Sequence, residues 1–346
     1  MLLGACNYVL GELYQAHEYY RQALSQARQH EDREITVRAL LGLAGIHFAW
    51  NELTLCEQQA SEALALAAEE LANLHSDAAL QLVQIAEARG QITQAQQQLA
   101  RLVARLQTAS RPEAAQRLTD ALLFSARLAL KTGDVRMGQQ ILATPALQKQ
   151  TAAQLVRGRL LLIQNKSYEA LHELEHLQPA PGEWRLAVEI HILLALAHIS
   201  CQQERQAREQ LWQALQLALP AGLTRIFLAE GKALLHLLRR MVPVLDNAEL
   251  RSYAQRILRA SALREEQQRA IKPASSTDLL VRPLSLQEQR VLRLLVAGNT
   301  NQEIAHELVI TINTVKDHVK HLYRKLGVSN RLQASEMAHR LHLLDT

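Results

Sequence analysis

From residue 1 to about residue 219 the apolar positions return in one register. A turn-forming residue is followed five, nine and twelve positions later by small or apolar ones. Gly11 leads Ala16, Tyr20 and Ala23; Asn51 leads Cys56, Ala60 and Ala63; Gly90 leads Ala95, Leu99 and Leu102. Asn165 then leads Ala170, Leu174 and Leu177, Gln202 leads Ala207, Leu211 and Ala214, and Gly133 heads a weaker copy with Gly138 and Leu142. These turn residues stand 40, 39, 43, 32 and 37 positions apart, which is the spacing of stacked helix pairs rather than of a globular bundle. A small residue at the second position lets the second helix of a pair approach the first, and the apolar residues behind it face the neighbouring repeat. The expected architecture is an all-α solenoid.

A different pattern fills residues 284–346, where four short helices follow one another. Ser285 and Glu288 form the ends of a capping box that opens a helix carrying Val291, Leu292, Leu294 and Leu295, and Gly298 suits its C-terminal cap. Thr300 and Glu303 form a second capping box, before Ile304, Ala305 and Leu308, and a tight turn through Val309 and Ile310 follows. Thr311 caps a third helix whose apolar residues Val315, Val319, Leu322 and Leu326 share one face. On its other side Lys316, Lys320 and Arg324 recur every fourth residue, with Asn313 and Asp317 beside them. A major groove accepts a helix with such a stripe. Gly327 stops this helix, and a fourth from Asn330 places Ala334, Ala338 and Leu341 on its buried face.

The run LSLQEQRVLRLLVAGNTNQEIAHELVITINTVKDHVKHLYRKLGVSNRLQA, from Leu284 to Ala334, resembles the LuxR/GerE-type helix-turn-helix domains of bacterial transcription regulators. Glu288, Gly298, Glu303, Ile304, Val315, Lys316, Gly327 and Arg331 are among the many spaced positions that agree. The resemblance implies a DNA-binding head whose third helix reads base edges through the positions of Lys316, Asp317 and Lys320. The two lysines suit guanine O6 and N7, while Thr300, Asn301, Thr311, Asn313 and Arg324 suit phosphates. At Asp317 the family more often has a neutral residue; a carboxylate there accepts from cytosine N4 and repels backbone phosphate.

The segment GELYQAHEYYRQAL, Gly11 to Leu24, resembles tetratricopeptide repeats, with Gly4 at the place of their first-helix glycine. Together with AGLTRIFLAEGKALLHLLRRM, Ala221 to Met241, the array and head resemble the C-terminal half of MalT-like regulators, large ATP-dependent members of the LuxR type. Those begin with a nucleotide-binding module. No G-x-x-x-x-G-K-[ST] loop occurs in this chain, so ATP is not carried over and no cofactor is expected. Met1 falls inside the first helix of a repeat, without a polar capping segment, and an upstream segment is therefore expected.

Composition fits helices: 48% of residues are hydrophobic and only 4% aromatic. The net charge of +4 does not by itself imply nucleic acid, and from residue 283 onward eight Lys/Arg stand against six Asp/Glu. Placement of the basic groups decides, not their total. Cys6, Cys56 and Cys201 form no C-x-x-C pair and read as buried small residues of a reducing, cytoplasmic compartment. No run approaches the ~18 apolar residues of a membrane span. His172-Glu173-Leu174-Glu175-His176 matches the zinc-binding H-E-x-x-H pattern, but the repeat register buries Leu174 and turns both histidines outward, so neither a metal nor catalysis is expected. Trp50, Trp184 and Trp212 read as interhelical core in preference to a ligand groove.

These features divide the chain into TPR-like repeats over 1–219, a helical extension closing the solenoid over 220–270, a linker over 271–283 and the DNA-binding head over 284–346. Two functions are open. One is a transcription regulator that binds double-stranded DNA as a dimer while the repeats sense a small molecule or a protein. The other is a repeat scaffold for protein interaction with vestigial DNA binding.

Overall fold

The computed structural model describes residues 1–67, 71–109, 112–148, 150–180, 182–271, 286–308, 310–326, 328 and 330–340. Among the described residues there are helices and no strand. Two compact units divide the chain, Met1–Leu263 and Arg264–Thr346.

Six helix pairs make up most of the first unit. They are α1 (Leu2–Leu10) with α2 (Leu13–Gln29), α3 (Arg33–Ala49) with α4 (Leu53–Leu66), and α5 (Ala72–Ala88) with α6 (Ile92–Thr108). After them come α7 (Pro112–Lys131) with α8 (Val135–Leu142), α9 (Thr151–Ile163) with α10 (Ser167–Glu175), and α11 (Trp184–Ser200) with α12 (Glu204–Ala218). Within every pair the chain reverses through one left-handed residue: Gly11, Asn51, Gly90, Gly133, Asn165 and Gln202 have φ of 84, 67, 83, 85, 59 and 60°. Glycine and asparagine adopt this conformation readily, whereas at Gln202 it costs on the order of 1 kcal/mol. These are the six turn residues of the sequence register.

Five residues on, Ala16, Cys56, Ala95, Ala170 and Ala207 are fully buried, and Gly138 is buried too. Nine on, Tyr20, Ala60, Leu99, Leu142, Leu174 and Leu211 are all core. Leu177 is the exception at the twelfth position and is only half-buried. The helix α10 ends at Glu175, ahead of Pro179, so Leu177 is no longer carried on its inner face. Tyr20 also explains two glycines: a Cβ on Gly4 would lie 3.0 Å from its ring and one on Gly42 2.6 Å.

The cysteines are free, as the lack of a C-x-x-C pair suggested, but they are not all buried. Cys56 is buried, Cys201 half-buried and Cys6 exposed on α1. Burial pushes the Cys56 thiol up to about 12. Cys6 departs from the expectation because it lies on the outward face of α1, where Leu2, Leu3, Val9 and Leu10 are exposed beside it.

The array is more than a stack of neighbours, because its first two pairs share one core with the sixth. Leu13, Leu43 and Ile46 belong to the same apolar cluster as Val188, Ile192, Leu211, Phe227 and Tyr253. Backbone N–H of Thr224 donates to Ala49 O at 2.9 Å, Trp50 Nε1 donates to Ala221 O at 2.9 Å, and Arg185 donates to the Tyr8 hydroxyl at 2.9 Å. The superhelix therefore closes into one turn. Trp50 stacks on Tyr14 at 4.9 Å and Trp184 packs on Gly11; with Trp212 they are half-buried against that common core.

Three further helices follow, α13 (Arg225–Ala229), α14 (Lys232–Met241) and α15 (Ala248–Ile271), and the unit ends within α15, at Leu263. The Tyr253 hydroxyl on α15 donates to Leu223 O. Residues 272–283, which make up almost all of the expected linker, lie outside the described residues. His172 and His176 are exposed; His176 follows the end of α10, with Nδ1 2.6 Å from His172 O.

Candidate nucleic-acid interface

The second unit contains α16 (Leu286–Val296), α17 (Asn301–Glu307), α18 (Ile312–Leu326) and α19 (Arg331–Arg340). Its core is Val291, Leu292 and Leu295 of α16, Ile304 and Ala305 of α17, Val315 and Leu322 of α18, and Ala334 and Ala338 of α19. Leu294, Leu308 and Val319 pack against it half-buried. The expected core members Leu326 and Leu341 lie outside the residues whose side chains are described, as do Ser285, Val309 and Gly327. Glu288, the far end of the first expected capping box, is buried.

Local caps set where each helix starts. Gly298, at φ 98°, turns the chain after α16 while its N–H donates to Leu295 O at 3.2 Å. The second capping box is complete: Glu303 N donates to Thr300 Oγ1 at 3.3 Å and Thr300 N donates to Glu303 Oε2 at 2.6 Å. The Thr300 backbone N–H, and then its hydroxyl, hold the Glu303 carboxyl below the ordinary glutamate range. Thr311 Oγ1 accepts from Thr314 N at 3.2 Å and starts α18. Asn330 Oδ1 accepts from Gln333 N at 2.9 Å and starts α19.

These starts orient α18. At about 100° per residue, positions 313, 316, 317, 320 and 324 fall within an arc of roughly 100°, centred well over a quarter turn from the arc of 315, 319 and 322. Lys316, Asp317 and Lys320 are exposed, while Val315 and Leu322 are buried. Asn313 and Arg324 belong to α18, but their side chains lie outside the described residues. Thr300 and Thr311 are exposed N-caps, and Asn301 is half-buried as the first residue of α17. Among the described residues Asp317 has no ion pair with a neighbour on α18.

One organising residue escaped the sequence reasoning. Arg331, at the start of α19, donates through Nη1 to Asn299 O at 2.8 Å and through Nη2 to Leu295 O at 2.5 Å. It thereby ties the start of α19 to the last turn of α16 at Leu295, whose carbonyl also accepts from Gly298 N, and to Asn299 in the turn that follows. Its position among the agreeing residues was the available signal; its partner, 36 residues earlier, had no local one. His318 is half-buried and His321 exposed, and Tyr323 is half-buried in the core.

Comparison with known proteins matches residues 2–243 to the MalT-like TPR region and residues 282–338 to the bacterial regulatory proteins of the luxR family. The HTH-type transcriptional regulator MalT of Vibrio cholerae is 27% identical over 319 residues, covering 86% of this chain and 35% of its own. The regulator of that name from Serratia proteamaculans is 31% identical over 202 residues, covering 54% of this chain and 22% of its own. The chain thus spans about a third or less of the length of these relatives. A solved circular tandem repeat protein aligns over 96% of this chain and 82% of its own, at 18% identity and a TM-score of 0.22, a score too low to carry any argument.

Proposed function

The chain belongs to the MalT-like TPR family, and from that premise we propose that it is a cytoplasmic transcription regulator whose luxR-type head binds promoter DNA. The reading gives it no catalytic activity, metal or cofactor. Lys316, Asp317 and Lys320 read base edges in the major groove. Thr300, Asn301, Thr311, Asn313 and Arg324 hold the phosphates that fix the register of the helix. A dimer binds two half-sites, and the closed repeat unit receives the signal, a small molecule or a protein. The head lies over 284–346, tethered through 271–283 to the extension over 220–270 and the repeats over 1–219.

The observation that supports this reading most is the two-sidedness of α18. Its buried face joins a core shared by all four helices, and its opposite face exposes a lysine, a carboxylate and a second lysine within one helical turn. A merely solvated helix needs no such arrangement next to two polar N-caps.

Selection of binding sites from random duplex tests it. The wild-type chain enriches one sequence, and its binding weakens steeply with salt as counterions are released. Lys316→Ala costs about 1–3 kcal/mol on the selected site and much less on random DNA, because it removes a base contact. Asp317→Asn changes the preference at one base pair. Failure to enrich any sequence, or recovery of the same site by all three proteins, overturns the assignment of α18 as the reading helix and leaves a repeat scaffold.

A further inference from the structure

The first helices of the six pairs line one channel inside the closed superhelix. Tyr8 of α1, Phe48 of α3, Glu87 of α5, Arg127 of α7, Arg159 of α9 and Glu189 of α11 all border its cavities. The segment of α13 runs through that channel. Two ion pairs hold it there: Arg225 meets Glu87 at 3.5 Å, and Glu230 meets Arg159. Arg225 also lies over the Phe48 ring, 5.8 Å from its centroid. Left-handed glycines bracket the segment, Gly222 at φ 65° and Gly231 at φ 84°, so the chain enters and leaves it through two positions that tolerate large backbone change.

Beside α13 is a cavity of about 230 Å3, bordered by Glu230 and Arg159 of one ion pair and by Glu87 of the other. Its wall is mostly apolar, from Phe124, Leu128, Leu162, Leu193 and Leu196, with Arg127, Lys131 and Arg159 as its cations. The charges of the wall are unequally provided for if α13 withdraws. Glu87 keeps a partner, because Lys131 already binds it. Among the described residues Arg159 keeps only Glu189, at 3.3 Å, and Glu189 also faces Arg127 at 3.9 Å. Burial opposes the charge on Glu189, but Arg127, Arg159 and Arg185 together outweigh it and hold the carboxyl below its usual range. One carboxylate is thus shared among three guanidiniums. A replacement for α13 needs one carboxylate and an apolar body, and it needs no cation.

We propose that the cavity beside α13 is a binding site for a small organic anion with an apolar body, whose carboxylate takes the place that Glu230 holds on Arg159. Residues 223–230 are then a built-in occupant that the ligand displaces. This rests on the reading of the repeats as the sensing half of the regulator, and it names the class of ligand and the segment that moves.

The full chain, titrated calorimetrically with straight-chain carboxylates from butanoate to dodecanoate, and with the alcohols and amines of the same lengths, tests the proposal. At least one carboxylate binds, and the amines do not. Glu230→Gln keeps the size of the side chain but removes its charge, and it tightens carboxylate binding by about tenfold, as expected when a competing closed state is depopulated. Adding Arg159→Gln abolishes that gain, whereas Arg159→Lys retains part of it. Hydrogen exchange on the wild-type chain requires no variant: the bound carboxylate speeds exchange of the amides in 223–230. The proposal is overturned if no member of the series binds the Glu230→Gln chain, if an amine binds as well as its carboxylate, or if exchange in 223–230 is unchanged or slowed. Site selection on the same proteins separates the two readings. Lost carboxylate binding with intact sequence-specific DNA binding removes only the ligand site, and the converse removes only the regulator.

Discussion

In the head, the described core residues lie between 291 and 338, whereas in the repeat unit one of the core clusters joins Leu13 and Ile46 to Tyr253 and Ile257. The head closes within four short helices, the first packing on the third and fourth as well as on the second. The array builds most of its area between neighbours, and then adds a seam between segments about 170 residues apart in sequence, at Trp50 with Ala221 and at Arg185 with Tyr8. Such contacts come late, because a long loop must be ordered before they contribute. The seam is where the repeat unit differs from an open solenoid, and it also fixes the segment that fills the channel.

The largest effect should come from charging that common core. Ala16 and Ala207 are fully buried and belong to it. Replacing either with arginine overpacks the helix contact and buries an unpaired guanidinium, for a loss of roughly 3–5 kcal/mol. Urea unfolding followed by circular dichroism measures it. Hydrogen exchange within 291–338 should not change, since the head has a core of its own. Unchanged unfolding of both variants would break the repeat register.

Gly222 tests the seam more narrowly. A Cβ there would meet the Tyr14 hydroxyl at 2.5 Å and Trp50 Nε1 at 3.3 Å, at a φ of +65°. Gly222→Ala should cost about 2–4 kcal/mol from crowding and the left-handed conformation together. Gly133→Ala has the same kind of backbone, at φ +85°, with nothing within 4 Å of the new carbon. Its cost should be about 1–2 kcal/mol, from backbone conformation alone. Equal thermal shifts for the two would mean that the seam is not tightly packed.

What could be read in the sequence divides along the same line. The six left-handed turns were legible because a turn residue and the small residue five positions later constrain each other locally. So was the capping box of Thr300 and Glu303, whose members are three positions apart. The seam was not legible: Ala221 and Trp50 each look ordinary in their own surroundings, and no periodicity connects them. Leu177 was assigned to the core because the register ignored where α10 ends. Cys6 was assigned to the interior by its residue type, although it lies on the outward face of its helix. At the interface, Lys316 and Lys320 could be placed on the outer face of α18 by counting, but the anchoring of α16 by Arg331 required the fold.

Arg331 provides a test of equal kind within the head. Arg331→Ala removes two charge-assisted hydrogen bonds to Leu295 and Asn299 carbonyls, for a loss of about 2 kcal/mol. Arg331→Lys should recover less than half of that, because an ammonium cannot offer the fork that reaches both oxygens. Thermal melting of the segment 282–346 reads both, and full rescue by lysine would mean that charge alone, not the bridging geometry, secures α16 to α19.

The smallest effect concerns the capping box, and its pH dependence has a definite sign. Thr300→Ala removes the hydroxyl that accepts from Glu303 N and should cost about 1 kcal/mol of head stability. The Glu303 carboxyl is held below its ordinary value near 4.5 by the Thr300 backbone N–H and hydroxyl. Its contribution is therefore fully present above that value and is lost as pH falls through the lowered one, because the unfolded chain then binds the proton more readily. Glu303→Gln has no carboxylate to protonate, so its melting temperature should lie below that of the wild type near neutral pH and approach it as the solution becomes more acidic than about pH 4. Thr300→Ala retains the backbone N–H and should retain part of this dependence. A constant gap between wild type and Glu303→Gln across the acid range would show that the ionised carboxylate does not hold the start of α17, and would leave the hydroxyl of Thr300 as the whole of its local cap.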